Sequence, residues 1–454
     1  MPSEQEWRTF ARWGDQYGGL SSVTILGQTL VIVNDPKIAT DLLDKRSSTF
    51  SDRPVMQMGG ELVGWRNTLV LLPYGDRFRR FRRLFHQSIG TRTSIKQFHP
   101  AEEIETRRFL RRVLAQPDAL AAHIRKTAGA VILRISHGYE VREHNDPLVA
   151  LADDATEQFS LATSPGGFLV NTIPALRHIP EWVPGAGFHT TARQWAATLS
   201  ELVETPHNMV KQQMAKGITP VCFTSKLLQE KQLTAEDEFD IKWASASLYS
   251  GKHPTSTVSS IYALFLALAT HPAAARRAQA EIDSVTGGTR LPTFEDRASL
   301  PYVDALVAEV FRWHTVVVRT VPHRAMEDEV YNGYLIPKGA LVMPNIWKFT
   351  HDSRTYANPF VFNPDRYFGP HAEPDPRATV SFGFGRRVCP GSNLADASVF
   401  IAAAMSLAVF DVTPAGDDVP VLEETTGTIS HPKPYRCTIR PRSEQAVALI
   451  QGEP

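Results

Sequence analysis

Mainly α-helical architecture with small β elements is the expectation for this chain, because helical patterning recurs along it and strand patterning is scarce. Apolar residues return at helical spacing from Tyr302 to Trp313 and from Thr257 to Ala267, the period at which one helix face can be buried. An Ala-rich helical stretch follows Gly391. Against these stands the strand Gln28-Thr29-Leu30-Val31-Ile32-Val33, ended by the turn residues Asn34-Asp35-Pro36.

Taken from the N-terminus, Trp7, Phe10, Ala11 and Trp13 mark a first amphipathic helix, and the 28–33 strand follows. Residues 51–73 lack periodicity and hold Met56, Met58, Trp65 and several glycines, so a loop is expected. Gly75 to Arg83 opens an arginine-rich helix. Phe239 to His271 reads as one long helix in which Pro254 should produce a kink, since proline removes an N–H and clashes with the preceding turn. At 454 residues the length suggests two or three domains. Yet no linker, repeat or low-complexity tract divides the chain.

Composition narrows the function classes. Lys plus Arg and Asp plus Glu both number 48, so nothing global argues for nucleic acid or an anionic surface as partner. Cys222, Cys389 and Cys437 show no paired spacing, which excludes a disulfide framework and fits a reducing compartment. Apolar stretches such as Ala402 to Phe410 read as too short to span a bilayer, and no signal peptide is visible.

The chemistry concentrates in Phe382-Gly383-Phe384-Gly385-Arg386-Arg387-Val388-Cys389-Pro390-Gly391. Gly385 and Gly391 permit backbone conformations and close approaches that a Cβ would forbid, so amide N–H groups can turn toward the Cys389 sulfur. The positive end of the following helix adds to that field, and a low-pKa thiolate results. The order F-x-x-G-x-R-x-C-x-G is met at every fixed position and resembles the cytochrome P-450 family, the haem-thiolate monooxygenases. The resemblance runs from about Trp7 to the end of the chain. It implies a single haem-binding domain over residues 1–454, mainly α with small β-sheets. Cys389 would be the axial thiolate on the iron of haem b, Arg387 a propionate ligand, and Phe382 a packing residue on the proximal face.

Glu309-Val310-Phe311-Arg312 lies in the 302–313 helix, where residues three apart share a face. A buried pair there needs further partners, and Arg366 in Phe362-Asn363-Pro364-Asp365-Arg366-Tyr367 is the one expected. By resemblance, Glu309, Arg312 and Arg366 form the structural triad that braces the haem-binding core. In the arginine-rich helix, Phe78 stands where the family has tryptophan, while Arg82 keeps a propionate-binding position. His323 matches a further propionate-binding basic residue. The other arginines of that helix would face solvent on the proximal side and meet an acidic flavoprotein, the NADPH–cytochrome P-450 reductase. Alternatively they form a solvated basic face.

The distal helix departs from the family. An acid followed by Thr or Ser is expected near the start of its second half, and the chain reads Ser250-Gly251-Lys252-His253-Pro254-Thr255-Ser256-Thr257. Ser256 takes the alcohol position, Thr255 the acid position, and no carboxylate is present. His253 could shuttle protons in its place, and Lys252 could fix a substrate carboxylate, as in the family's fatty-acid peroxygenase branch. Alternatively both turn away and Ser256 alone suffices. Val316, Val317 and Val318 would supply one apolar pocket wall and Gly427-Thr428-Ile429-Ser430 another. Arg319 could enter the pocket, or reach a propionate or a loop carboxylate.

The resemblance therefore implies a fungal-type monooxygenase, acting on a small hydrophobic secondary metabolite such as a terpenoid, polyketide or alkaloid-like intermediate. The chain would be a monomer with no nucleic-acid partner. Either a native N-terminal anchor, absent from this chain, holds it to the cytosolic face of the endoplasmic reticulum, or the native protein is soluble. A peroxide-using or rearranging relative is the second reading, and a haem binder without turnover the third.

Overall fold

The computed structural model describes residues 4–452 apart from 165, 219–220, 230–231, 250–252, 418 and 428, and leaves the side chains of 253–255 undescribed. The first helix, α1 (Glu6–Tyr17), buries Trp7, Phe10 and Ala11 on one face. A hairpin follows, β1 (Leu20–Ile25) and β2 (Gln28–Val33), in antiparallel register from Leu20 opposite Val33 to Ile25 opposite Gln28. Leu26 and Gly27 both have positive φ, 47° and 82°, the twist that a two-residue hairpin turn requires. The expected 28–33 strand and its turn are both present. Asp35 accepts from Lys37 N and Ile38 N and so caps the next helical turn.

Short strands complete the sheet beside this hairpin. β3 (His323–Arg324) pairs antiparallel with β6 (Leu341–Pro344), which runs parallel to β2. β4 (Glu329–Tyr331) and β5 (Tyr334–Ile336) form a separate hairpin, and β7 (Phe410–Pro414) with β8 (Cys437–Pro441) another.

Helices dominate the rest. The longer ones, in chain order, are α2 (Asp76–Ile89), α3 (His99–Ala115), α4 (Leu120–His137), α5 (Pro147–Thr163), α6 (Phe188–Ala215), α7 (Ala235–Tyr249), α8 (His253–Thr270), α9 (Pro272–Thr286), α10 (Pro301–Trp313), α11 (Ser392–Val409) and α12 (Glu444–Gln451). Helices α3, α4, α8 and α11 pack together, and with α9 and α10 they build the largest apolar cluster, including Phe109, Phe265, Leu306 and Phe400.

On either side of 250–252, which lie outside the described residues, the expected 239–271 helix is seen as α7 and α8, and the kink expected at Pro254 adjoins those residues. α8 and α9 meet at a bend of 105°. Proline at 272 disfavours helix at His271 and ends α8 there. The apolar stretch at 402–410 extends back to Ser392, and α11 is long and apolar enough to cross a membrane by length and composition alone. Its window is 83 % buried inside the fold, the pattern of a core helix. Met58 and Trp65, expected in a loop, lie in short helical turns and are core residues, with Trp65 edge-on to Phe159 at 4.8 Å.

Candidate functional site

The Cys389 loop is held from below by the segment after β2. Gly385 has φ +54°, and a Cβ added there would sit 2.0 Å from Leu43 O, so glycine is required both by conformation and by space. Gly383, at φ +80°, has open space around it. Gly391 is a correction: at φ −97° its backbone suits any residue. Its contribution is its N–H, which points to the Cys389 sulfur. The Cys389 N–H donates to Phe382 O at 2.8 Å, closing the loop, and Phe382 tilts against Phe311 at 5.4 Å. Cys389 lies deep in the protein yet keeps an accessible face. Burial pushes its thiol up, opposed by the Gly391 N–H and by Arg82.

The two glycines give a paired test. Gly385→Ala should lower the melting temperature and haem content sharply, since left-handed strain of about 1–2 kcal/mol is added to the clash with Leu43. Gly383→Ala carries the strain alone. Equal melting curves for the two variants would show that the close approach does not matter.

A cationic cluster surrounds one side of this loop. Arg387 Nε donates to Ser51 O at 2.7 Å and Nη2 to Leu72 O at 2.8 Å, and its guanidinium lies 3.8 Å over the Phe78 ring. Arg82 Nη1 donates to Val388 O at 2.7 Å. Arg53 donates to Val321 O at 2.6 Å and Pro322 O at 3.0 Å. His323 is 2 % exposed, with Nδ1 donating to Phe50 O at 2.7 Å. Burial, with repulsion from Arg53 and Arg82, pushes Arg387 down to about 8, and burial brings Arg53 to about 10. Burial and the same arginines hold His323 well below the usual imidazole range. Among the described residues, the side-chain hydrogen bonds of Arg53, Arg82 and Arg387 go only to backbone carbonyls.

Asp52 is the one carboxylate acting on Arg53 and Arg387 among the causes of their shifts, and it is already bonded to Arg324. Clustered cations with so little counter-charge are costly, and a ligand bearing two carboxylates beside Cys389 would offset that cost. Haem b is such a ligand, and the donor set fits it. The sequence reading missed Arg53, because nothing local sets it apart from any other arginine in an aperiodic stretch.

The brace is assembled from three segments. Glu309 accepts from Arg312 Nη2 at 2.7 Å and Nε at 2.8 Å, and from Arg366 Nε at 3.1 Å. Asn363 N and Tyr367 Oη add bonds at 2.8 and 3.0 Å. Arg312 donates further to Thr350 O and Pro359 O, and Arg366 to Glu373. All three triad side chains are essentially sealed from solvent.

The expected pocket residues divide. Ser430 N donates to Val316 O at 2.8 Å, bringing the half-buried Val317 and Ile429 into neighbouring segments. Val318 and Arg319 are corrections. Val318 is fully buried against Trp7, Ala11 and Trp347, and Arg319 Nε donates to Glu6 at 2.8 Å, so both serve to dock α1. Ser256 opens the described part of α8 and is half-buried. Lys252, and the side chains of His253 and Thr255, lie outside the described residues.

Of the arginines on α2, Arg77 and Arg80 pair with Asp240 of α7 at 2.7 Å each, so they are not a free basic face. Arg79, Arg83 and Arg386 are exposed. A further network escaped the sequence reading. Ser259 Oγ meets His314 Nε2 at 2.7 Å, and His314 Nδ1 meets Glu424 at 3.2 Å, all buried. Its order is that of a hydrolase relay, but Ser259 donates its proton to Ser430 O at 2.6 Å. It therefore ties α8 to the C-terminal segment.

Comparison with known proteins matches this arrangement. The chain matches the family described as Cytochrome P-450 over residues 3–439. It is 52 % identical over 457 residues to cytochrome P-450 monooxygenase 208 of Postia placenta, covering 99 % of this chain and 89 % of that protein. It is 38 % identical over 456 residues to O-methylsterigmatocystin oxidoreductase of Aspergillus flavus, covering 98 % and 85 %. A zebrafish cytochrome P-450 solved with progesterone superimposes with a TM-score of 0.79 at 23 % identity, covering 97 % and 100 %. That last likeness speaks for the fold.

Proposed function

The chain belongs to the cytochrome P-450 family, whose members are haem-thiolate oxidoreductases, and on that premise we propose a reductase-fed monooxygenase that hydroxylates a hydrophobic secondary metabolite. The observation that carries this reading is the Cys389 loop set beside Arg53, Arg82 and Arg387, whose side-chain hydrogen bonds among the described residues go only to backbone carbonyls. Haem b bound there supplies an iron for dioxygen activation, and thiolate ligation favours O–O cleavage.

The chain's own residues do the rest. Cys389 donates the thiolate, and the Gly391 N–H holds its charge. The arginines and His323 hold the propionates. Val317 and Ile429 line an apolar wall that excludes water from the substrate. Ser256 holds a proton at its hydroxyl, and His253 and Thr255 belong with it in this reading.

The substrate is a terpenoid, polyketide or alkaloid-like intermediate. The Aspergillus flavus relative, named as an O-methylsterigmatocystin oxidoreductase, supports that class. Exposed Arg79, Arg83 and Arg386 give a flavoprotein reductase a basic face. Leu169, Ile173 and Trp182 are 69, 48 and 83 % exposed, an apolar surface segment suited to the cytosolic face of the endoplasmic reticulum. The protein acts as a monomer in a single domain.

Turnover of candidate metabolites with NADPH and reductase tests the reading. Product formation under those conditions is expected. Product with hydrogen peroxide alone and none with reductase would favour the peroxygenase reading. Spectral binding without product under either oxidant would mark a haem binder.

A further inference from the structure

Helix α8 carries no carboxylate from Ser256 to Thr270, yet a buried acid stands behind it on another helix. Glu102, in the first turn of α3, is 0 % exposed. Ser398 Oγ of α11 donates to its Oε1 at 2.6 Å, while Oε2 has no hydrogen-bond partner among the described residues. Glu102 borders a cavity of about 20 Å³ between α3, α4, α8 and α11, whose polar walls are Thr106, Thr127, Thr257 and Ser398. A space of roughly that size holds one water, provided polar partners are present, and here they are. Thr257 is the α8 residue next to Ser256.

An unpaired buried carboxylate is costly, so such a group keeps its proton. Burial pushes Glu102 up to about 8; Glu103 and Asp396 push the same way, while Ser398 and Arg297 oppose. The walls from α4, α8 and α11 bear no titratable side chain. Near neutrality Glu102 is therefore a neutral acid with a proton to give.

We propose that Glu102 is the proton reservoir of α8, passing its proton through one water in this cavity to the Thr257–Ser256 turn. The proposal rests on the monooxygenase reading, in which oxygen cleavage consumes protons along with the electrons that the reductase delivers. The relay itself moves no electrons. Oε2 gives its proton to the water, the water gives one to an α8 hydroxyl, and the carboxylate regains a proton from solvent. It places the acid missing from α8 on a different helix.

Infrared spectra of the holoenzyme, parent against Glu102→Gln, read the acid directly. A protonated-carboxyl stretch is expected in the parent at pH 7. It should shift in heavy water and in Ser398→Ala, vanish in Glu102→Gln, and fade as pH rises past about 8. Melting gives the linked sign. A carboxyl raised in the folded state stabilises fully below its unfolded value near 4.5 and loses that contribution as pH rises through about 8. The parent should thus lose stability over that window and Glu102→Gln should lose less.

With reductase and NADPH, product per NADPH should fall about tenfold or more in Glu102→Gln, with peroxide release rising. Turnover driven by hydrogen peroxide, which brings its own protons, should not change. Should Glu102→Gln fail to fold, Thr257→Val keeps the acid, removes the α8 hydroxyl at the cavity, and should uncouple in the same way. An infrared band that survives Glu102→Gln overturns the proposal, as does unchanged coupling in either folded variant. A parent without reductase-driven turnover would instead sink the monooxygenase reading, and the infrared band would still decide whether Glu102 is a neutral acid.

Discussion

Glu309→Ala should cost about 3–5 kcal/mol and leave little folded, haem-loaded protein. The carboxylate accepts from Arg312, Arg366, Asn363 and Tyr367 together. Its loss strands two guanidiniums at 0 and 2 % side-chain exposure. Arg366 retains Glu373, but among the described residues Arg312 is left with backbone carbonyls and the Tyr356 ring, and no carboxylate bond. Since whole domains are stable by only about 5–15 kcal/mol, the expected result is poor expression and low haem content, ahead of any kinetic defect. Glu309→Gln keeps the shape and part of the bonding and should lie between the two. Denaturant melts with haem-to-protein ratios measure both effects. A Glu309→Ala protein with full haem and an unshifted melt would show that the triad is not a brace.

What could be read from the sequence follows from how local the determining contacts are. The Cys389 loop was legible because its glycines, Arg387 and the cysteine lie within ten consecutive positions in a recognisable order, although the space demand on Gly385 comes from distant Leu43 and Gly391 needs no special conformation. Arg312 and Glu309 were legible because three residues on a helix are one face. Arg366 lay 57 positions on and came from the resemblance. Arg53 could not be found, since its meaning depends on Arg387 and His323, brought near by folding. Val318 and Arg319 were assigned to the pocket by resemblance, which places the segment after the 302–313 helix there but does not set each side chain's direction. With no period to set side-chain direction, only α1, through Trp7 and Glu6, decides where they point.

The arginines of α2 teach the same lesson about charge. Their number was plain, but Arg77 and Arg80 are neutralised by Asp240, about 160 residues away. Glu102 was invisible for a related reason. A glutamate near a helix start reads as a solvated dipole partner, and only the closure of α4, α8 and α11 over it makes it a buried acid.

The central claim is that Cys389 is the one thiolate that ligates haem iron in this protein, and the carbon monoxide spectrum of the reduced protein tests it most directly. Cys222 is buried and bonded with Ser225, Cys437 lies in strand β8, and neither sits in a glycine loop beside the arginine cluster, so neither should substitute. The parent should show the red-shifted Soret band of thiolate ligation, and Cys389→Ala should lose it entirely. A thiolate-type band persisting in Cys389→Ala would contradict the account.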